Sequence, residues 1–345
     1  MATELWHPDI EVTEQLVQTS IEEQFPELTP IINIQCIGEG WDNKVFLINE
    51  KIIFRFPHRK IATSLIVREN EILKNIHDRF RLEIPEPIYI GHSSSYYPHS
   101  FQGYPIIQGT ASYQASLSLD ERQASIIPLA TFLKNLHNII EKEALYLGAK
   151  PQVFDRTNID EMIASLSERV TKIIARKIVK IDMNCFEHEV KVVKKITLPL
   201  NDKVLVHGDL HCRHLMFNQG LLTGIIDWGD VGINHRAVDL AIIFSFYPAS
   251  CHQDFFNIYG NVEPQTWQYA RFLGLYSALS LMLYGHDVGD QLLVTETINS
   301  IRRINAGVLG ESTKESIVDL LATPPADIDF EPPKLNKKIY RSGEP

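Results

Sequence analysis

Residues 204–230 read VLVHGDLHCRHLMFNQGLLTGIIDWGD. Two short apolar runs, at 204–206 and 221–226, each end in an aspartate-bearing turn. The first turn holds His207, Gly208, Asp209, His211 and His214, and the second holds Asp227 and Asp230. Two β-hairpin ends that set carboxylates side by side can deprotonate a hydroxyl and hold a divalent cation. Phosphoryl transfer needs both. Asp209 follows His207-Gly208, where glycine permits a strained turn that projects a carboxylate into a cleft. There it can take the proton of an attacking hydroxyl. A plain surface-turn aspartate is the alternative, and the second acidic turn weighs against it. Asp227 ends an apolar strand and suits Mg2+, a hard cation that takes oxygen ligands. Its plainer role would be a helix N-cap. Asp239, within Ala237-Val238-Asp239-Leu240, is expected to orient the catalytic loop rather than touch substrate, with His207 as further support. His207, Asp209, His211 and His214 also allow a zinc cluster of a hydrolase, because imidazole suits softer metals than Mg2+. That rival lacks an obvious distant histidine ligand and leaves the N-terminal strands without a role.

Other elements must position these residues. Residues 9–24 have the pattern of a short amphipathic helix that stops before Pro26. Strands are expected at 31–37, 44–48 and 51–56, with a tight turn at Asn49-Glu50. A helix follows at 60–80, with apolar residues at 61, 65, 66, 72, 73 and 76. Two more strands are expected at 88–90 and 102–107. Tight turns between strands imply an antiparallel sheet. Residues 108–118 read as a linker, 125–140 as a helix and 156–196 as two helices. A further helical set is expected at 236–247, 263–285 and 290–305. The Pro-rich stretch 323–345 reads as a flexible tail.

Arg55 stands mid-strand in IIFRFP. A guanidinium among apolar neighbours needs a partner, and phosphate oxygens match its fork. Glu69, on the next helix, can pair with it; the plainer alternative is a surface ion pair. The Gly38-x-Gly40 turn is not a Walker A sequence and lacks the third glycine of the protein-kinase loop.

At 345 residues the chain has room for one large or two modest domains. Its 44% hydrophobic and 22% charged content is that of a soluble globular protein. The net charge of −10 disfavours nucleic-acid binding. Four scattered cysteines without a C-x-x-C pair argue against a zinc or disulfide scaffold and for a reducing cytoplasm. The acidic N-terminus is not a secretory signal, and no apolar run is long enough to span a bilayer.

GEGWDN (38–43), FRFP (54–57), HGDLHCRH (207–214) and IIDWGD (225–230) together resemble the aminoglycoside phosphotransferase family, whose fold is related to the protein kinases. The likeness runs from about residue 34 to 303 and looks strongest to the aminoglycoside 2″-phosphotransferases and the macrolide phosphotransferases. It implies an α+β, two-lobed, protein-kinase-like fold. A five-stranded antiparallel N-lobe (1–107) would bind nucleotide, and a mainly helical C-lobe (108–322) would carry catalysis and substrate. By the resemblance Asp209 is the catalytic base, and Asp227 binds metal. His214 replaces the asparagine most relatives use as second metal ligand, and Arg55 the usual strand lysine. Backbone groups of Pro105 and Ile107 would hold the purine, and Gly38 and Gly40 lie in the loop over the nucleotide.

The implied function is a cytoplasmic, Mg2+-dependent small-molecule kinase. It would move the γ-phosphoryl of ATP or GTP to a hydroxyl, an aminoglycoside or macrolide antibiotic being the first candidates. A kinase of an endogenous hydroxyl-bearing metabolite is an alternative, as are the zinc hydrolase and a nucleotide-binding pseudo-enzyme. The acceptor region departs from the pattern. Residues 241–260 are apolar and aromatic with only Asp254, and 285–290 adds Asp287 and Asp290. These three acids are the substrate-binding candidates. An aromatic-lined pocket there would suit a macrolide, or a metabolite with an apolar portion.

Overall fold

A computed structural model describes residues 9–40, 42–199 and 202–306. The expected tail at 323–345, and Trp41 of the 38–43 loop, lie outside them. The helix expected at 9–24 is α1 (Glu14–Gln24), N-capped by the Thr13 hydroxyl. Strands β1 (Ile34–Glu39), β2 (Asn43–Ile48), β3 (Ile52–Pro57), β4 (Tyr89–Gly91) and β5 (Phe101–Pro105) form one sheet in the order β1-β2-β3-β5-β4. Every pairing in it is antiparallel. Helix α2 (Lys60–Ile76) joins β3 to β4.

The β2–β3 turn explains the sheet's register. Asn49 and Glu50 both adopt left-handed backbone angles, φ 49° and 58°, which asparagine tolerates better than most residues. The Asn49 carboxamide accepts from the amides of Ile32 and Asn33 at 2.8 and 3.2 Å. The turn thereby also fixes the chain entering β1. Side chains alternate across the strands. Phe46, Phe54, Phe56 and Phe101 pack with Val17 and Ile21 of α1. Arg55, between Phe54 and Phe56, therefore faces the other way.

The remainder is mainly helical. It contains α3 (Leu119–Ala124), α4 (Ile126–His137), α5 (Glu141–Tyr146), α6 (Ile159–Ala175) and α7 (Met183–Val193). After these come α8 (Ala237–Phe246), α9 (His252–Tyr259), α10 (Pro264–Asp287) and α11 (Gln291–Ala306). All ten residues of α8 are buried, and α10 and α11 pack against it. A helix apolar on every side belongs in a core. The aromatic side chains of 241–260 therefore pack into the core, Phe255 and Tyr259 being the buried residues of α9, and do not form the substrate pocket expected from sequence. Phe244, for example, packs on Trp267 with ring centroids 4.4 Å apart.

Among these helices lie two small sheets. Strands β6 (Thr110–Ala111), β8 (Leu215–Asn218) and β9 (Leu221–Ile225) make one, with β8 in the middle. Strands β7 (Lys203–Val206) and β10 (Gly232–His235) make the other. The two aspartate turns are thus not the ends of two matching hairpins. β7 pairs with β10, beyond the second aspartate, while β8 and β9 form the hairpin that delivers Asp227.

Candidate functional site

The loop after β7 hangs on one buried carboxylate. Asp239, in the first turn of α8, is fully buried. Its Oδ2 accepts from the His207 amide at 2.7 Å and its Oδ1 from the Gly208 amide at 2.9 Å. His137 Nε2 approaches the same carboxylate at 3.2 Å. Gly208 has φ +88°, and a Cβ there would lie 2.5 Å from the Asp230 carbonyl oxygen. Only glycine fits both demands.

His207 connects the two aspartate turns. Its Nδ1 accepts from the Asp209 amide at 3.2 Å, so Nε2 carries the proton and donates to the Ile226 carbonyl at 3.0 Å. Asp227 follows at φ +64°, a left-handed geometry that a non-glycine residue adopts at a cost.

The same accounting assigns His211 and His214. His211 Nδ1 accepts from the Arg213 amide at 3.3 Å, which turns its Nε2–H toward Asp209 Oδ2, 3.4 Å away. His214 donates Nδ1–H to the Asp209 carbonyl at 2.8 Å. Its Nε2 then holds only a lone pair, yet Asp227 Oδ2 lies 3.3 Å from it. A lone pair and a carboxylate oxygen thus converge on one point at the cavity wall. The donor set, one imidazole nitrogen and one carboxylate, therefore fits a divalent ion.

Electrostatics keep both aspartates ionised. Burial pushes Asp209 upward, but His211, His214 and Arg156 outweigh it and hold the carboxyl well below its usual range. Asp227 is likewise lowered: burial opposes, while His214 and Arg55 prevail. Burial, then His211, pushes His214 below its ordinary value. Burial and then Asp209 raise Asp230.

The sheet supplies the opposite wall. Arg55 Nη1 donates to Glu69 Oε1 at 2.6 Å, and Nη2 reaches Asp227 Oδ1 at 3.5 Å. Gln102 adds a bond to Glu69 Oε1 at 3.3 Å. Burial opposes the charge on Arg55, but Glu69 and Asp227 overcome it and raise its pKa. Glu69 is itself raised, chiefly by burial. A Cβ on Gly38 or Gly40 would meet nothing closer than 3.7 Å. The fold itself does not demand glycine at either position.

Asp209, His214, Asp227, Arg55, Glu69, Gly38, Gly40 and Asp287 all line one cavity of about 1150 Å³ between the sheet and the helices. His207 and Asp239 sit behind it. Four expected residues are not among those that line it. Pro105 is exposed at the end of β5, and Ile107 is buried over Gly224; Tyr104, one residue earlier, lines the cavity. Asp254 is exposed on α9. Asp290 caps the Leu293 amide at 3.0 Å and accepts from Tyr113 at 3.0 Å. Asp287 is on the cavity wall, but Arg176 donates to it.

Sequence reading missed Arg156, Gln152 and His137. Arg156 donates to the Gly208 carbonyl and lies 3.7 Å from Asp230. Gln152 Nε2 donates to the Asp230 carbonyl at 2.5 Å. Both come from an irregular loop with no motif to single them out. His137 ends α4 and sits a hundred residues before the aspartate it supports.

The model of the phosphotransferase enzyme family matches residues 33–273, and the chain belongs to that family. The chain is 39% identical over 66 residues to an aminoglycoside 3'-phosphotransferase from Escherichia coli. That match covers 18% of this chain and only 24% of the relative, so the chain spans about a quarter of that curated protein's length. Among solved structures it is similar to aminoglycoside 2'-phosphotransferase-IIIa in its GDP complex, at TM-score 0.62 and 23% identity, over 86% of this chain and all of the other. It is also similar to a macrolide 2'-phosphotransferase from Brachybacterium faecium, at TM-score 0.53 and 16% identity, over 82% and 93% of the two chains. The two-lobed, kinase-like α+β fold expected from the sequence is therefore borne out.

Proposed function

We propose that this protein transfers the γ-phosphoryl group of ATP or GTP to a hydroxyl of a small molecule. The observation that carries the reading is the meeting of Asp209, His214, Asp227 and the Arg55–Glu69 pair on one cavity. Residues 1–107 are the nucleotide-binding lobe and 108–322 the catalytic and acceptor lobe. Family membership and the GDP carried by the similar 2'-phosphotransferase-IIIa support a nucleotide donor.

Asp209 orients the acceptor hydroxyl by accepting its hydrogen bond. So weakly basic a carboxylate takes the proton late, as the new O–P bond forms. Arg55, fixed by Glu69, turns its fork toward the phosphates. Asp227 and His214 would hold Mg2+, which when bound would offset the negative charge of the phosphates. Asp239 and His207 keep the two aspartate turns in mutual register, so catalysis is largely positioning and electrostatics. Among the described residues no helix is long and apolar enough to cross a membrane. The four free cysteines support a reducing compartment such as the cytoplasm, and the net charge of −10 disfavours nucleic acid as a partner.

The test is a mass-spectrometric screen of the purified chain with Mg2+, using ATP and GTP separately. Aminoglycosides, macrolides and hydroxyl-bearing metabolites serve as acceptors. A phosphoryl mass increment on one acceptor class is expected. Nucleotide binding without transfer to any acceptor would contradict the reading and favour the pseudo-enzyme.

One observation favours a second reading. Ligand atoms of Asp209, His211 and His214 all lie within 4.8 Å of one another, as in a zinc site. A zinc hydrolase leaves Arg55, Glu69 and Asp227 without a task. Stoichiometric zinc in protein purified without added metal would nevertheless favour it.

A further inference from the structure

The far wall of the cavity has the wrong charge for a polycationic acceptor. Five cationic side chains line that half: Arg156, Arg169, Lys172, Arg176 and Arg213. Three are matched by acids on the same wall. Arg156 lies 3.7 Å from Asp230, Lys172 lies 2.6 Å from Glu168, and Arg176 donates to Asp287. Each of the three acids in this half is thereby engaged.

Arg169 and Arg213 make no ion pair among the described residues. Both are half-buried. Arg169 Nε donates to Ser280 Oγ at 2.7 Å and Nη1 to the Ser165 carbonyl at 2.9 Å. Its guanidinium carbon sits 4.4 Å from the Tyr276 ring centre. The guanidinium carbon of Arg213 sits 4.7 Å from the Tyr284 ring centre. Tyr276, Ser280 and Tyr284 are spaced i, i+4, i+8 and so share one face of α10. That face is a rack of ring, hydroxyl and ring. It fixes two guanidinium planes, one from α6 and one from the catalytic loop, without neutralising either.

Neutral contacts orient an arginine, but they do not offset the cost of removing its charge from water. An anion does, and the arginine fork matches a carboxylate or a phosphate monoester. An ammonium-rich acceptor would find Asp230, Glu168 and Asp287 already paired and two uncompensated cations facing it. We propose that the hydroxyl acceptor carries an anionic group, a carboxylate or a phosphate monoester, which Arg169 and Arg213 bind. This inference rests on the phosphoryl-transfer reading and names the acceptor class of the same cavity.

The experiment offers each of a set of hydroxylated scaffolds in matched neutral, carboxylate, phosphate and amine forms. Glucitol with gluconate, and glucose with glucose 6-phosphate and glucosamine, are the first members. Transfer from ATP and from GTP is followed with the full chain. The anionic forms should exceed their neutral partners by about 10-fold or more in kcat/KM, the scale of one charged hydrogen bond. The carboxylate and phosphate arms then say which anion is preferred. Arg169→Gln should raise the acceptor KM about tenfold while the nucleotide KM stays put, and Arg169→Glu should erase the anionic preference. Thermal melting checks that both variants fold, and Arg213→Gln provides an independent variant if either does not. Preference for amines, indifference to charge, or a rise in the nucleotide KM instead of the acceptor KM would overturn the inference. Transfer to no member at all, with nucleotide bound, would instead bring down the phosphoryl-transfer reading itself.

Discussion

The two halves of the cavity are built differently. In the phosphate half, Asp209, His214 and Asp227 come from one stretch of about twenty residues. Buried partners fix them through the backbone: Asp239 holds two amides, and His207 holds an amide and a carbonyl. In the acceptor half, Arg156, Arg169, Arg213, Tyr276 and Tyr284 come from a loop, two helices and the catalytic loop. Arg169 and Arg213 are held against the side chains of Tyr276, Ser280 and Tyr284, with one further bond from Arg169 to the Ser165 carbonyl, and Arg156 reaches the Gly208 carbonyl. Backbone anchoring makes the chemistry insensitive to nearby side-chain changes. Side-chain anchoring lets acceptor choice change without disturbing the chemistry.

If that contrast holds, Asp239→Ala should have the largest effect on stability. It strands two buried amides and leaves His137 without its carboxylate. A loss of about 3–5 kcal/mol is expected by denaturant unfolding, with transfer reduced as the loop loosens. A loss below about 1 kcal/mol would show that Asp239 does not hold the loop.

Acid should act next, and through the buried histidines. Burial lowers His137 and His235, the latter to about 4. The unfolded chain protonates these rings near pH 6.5, whereas the folded chain resists until lower pH. The unfolded state thus binds more protons, and stability falls as pH drops from about 6.5 toward 4. His235 alone accounts for up to about 3 kcal/mol at pH 4. The melting temperature should be lower at pH 5 than at pH 7, and His235→Gln should flatten the profile. An unchanged slope in that variant would remove His235 from the account.

Ser280→Ala should have the smallest effect. It removes one bond to the half-buried Arg169 and should cost about 1 kcal/mol or less. Its signature should be a rise in acceptor KM, with kcat and the nucleotide KM little changed. A fall in kcat alone would mean that the two halves are not separable.

The five-stranded sheet was legible because its strands alternate and its turns are short. The Arg55–Glu69 pair was legible because β3 and α2 are adjacent in the chain. The small sheets were not: β6, β8 and β10 have two to four residues, too few for a period to register. Hence apolar runs alone do not show that β7 pairs with β10. The acids Asp254 and Asp290 were chosen by type, but type does not say which face of a helix a residue occupies or whether it is already a cap. The apolar run 241–260 looked like a pocket because a core helix buried on all sides has the same composition. Arg169 was invisible for the converse reason, since one arginine on an amphipathic helix looks like any solvated face.

The most direct test of the central claim is single-turnover phosphoryl transfer by Asp209→Ala, with nucleotide binding measured on the same preparation. The account predicts nucleotide binding close to that of the unsubstituted protein and transfer slowed roughly 10²–10⁴-fold. Transfer at nearly the unsubstituted rate would contradict Asp209 as the base, and with it the reading of the two aspartate turns as a phosphoryl-transfer site.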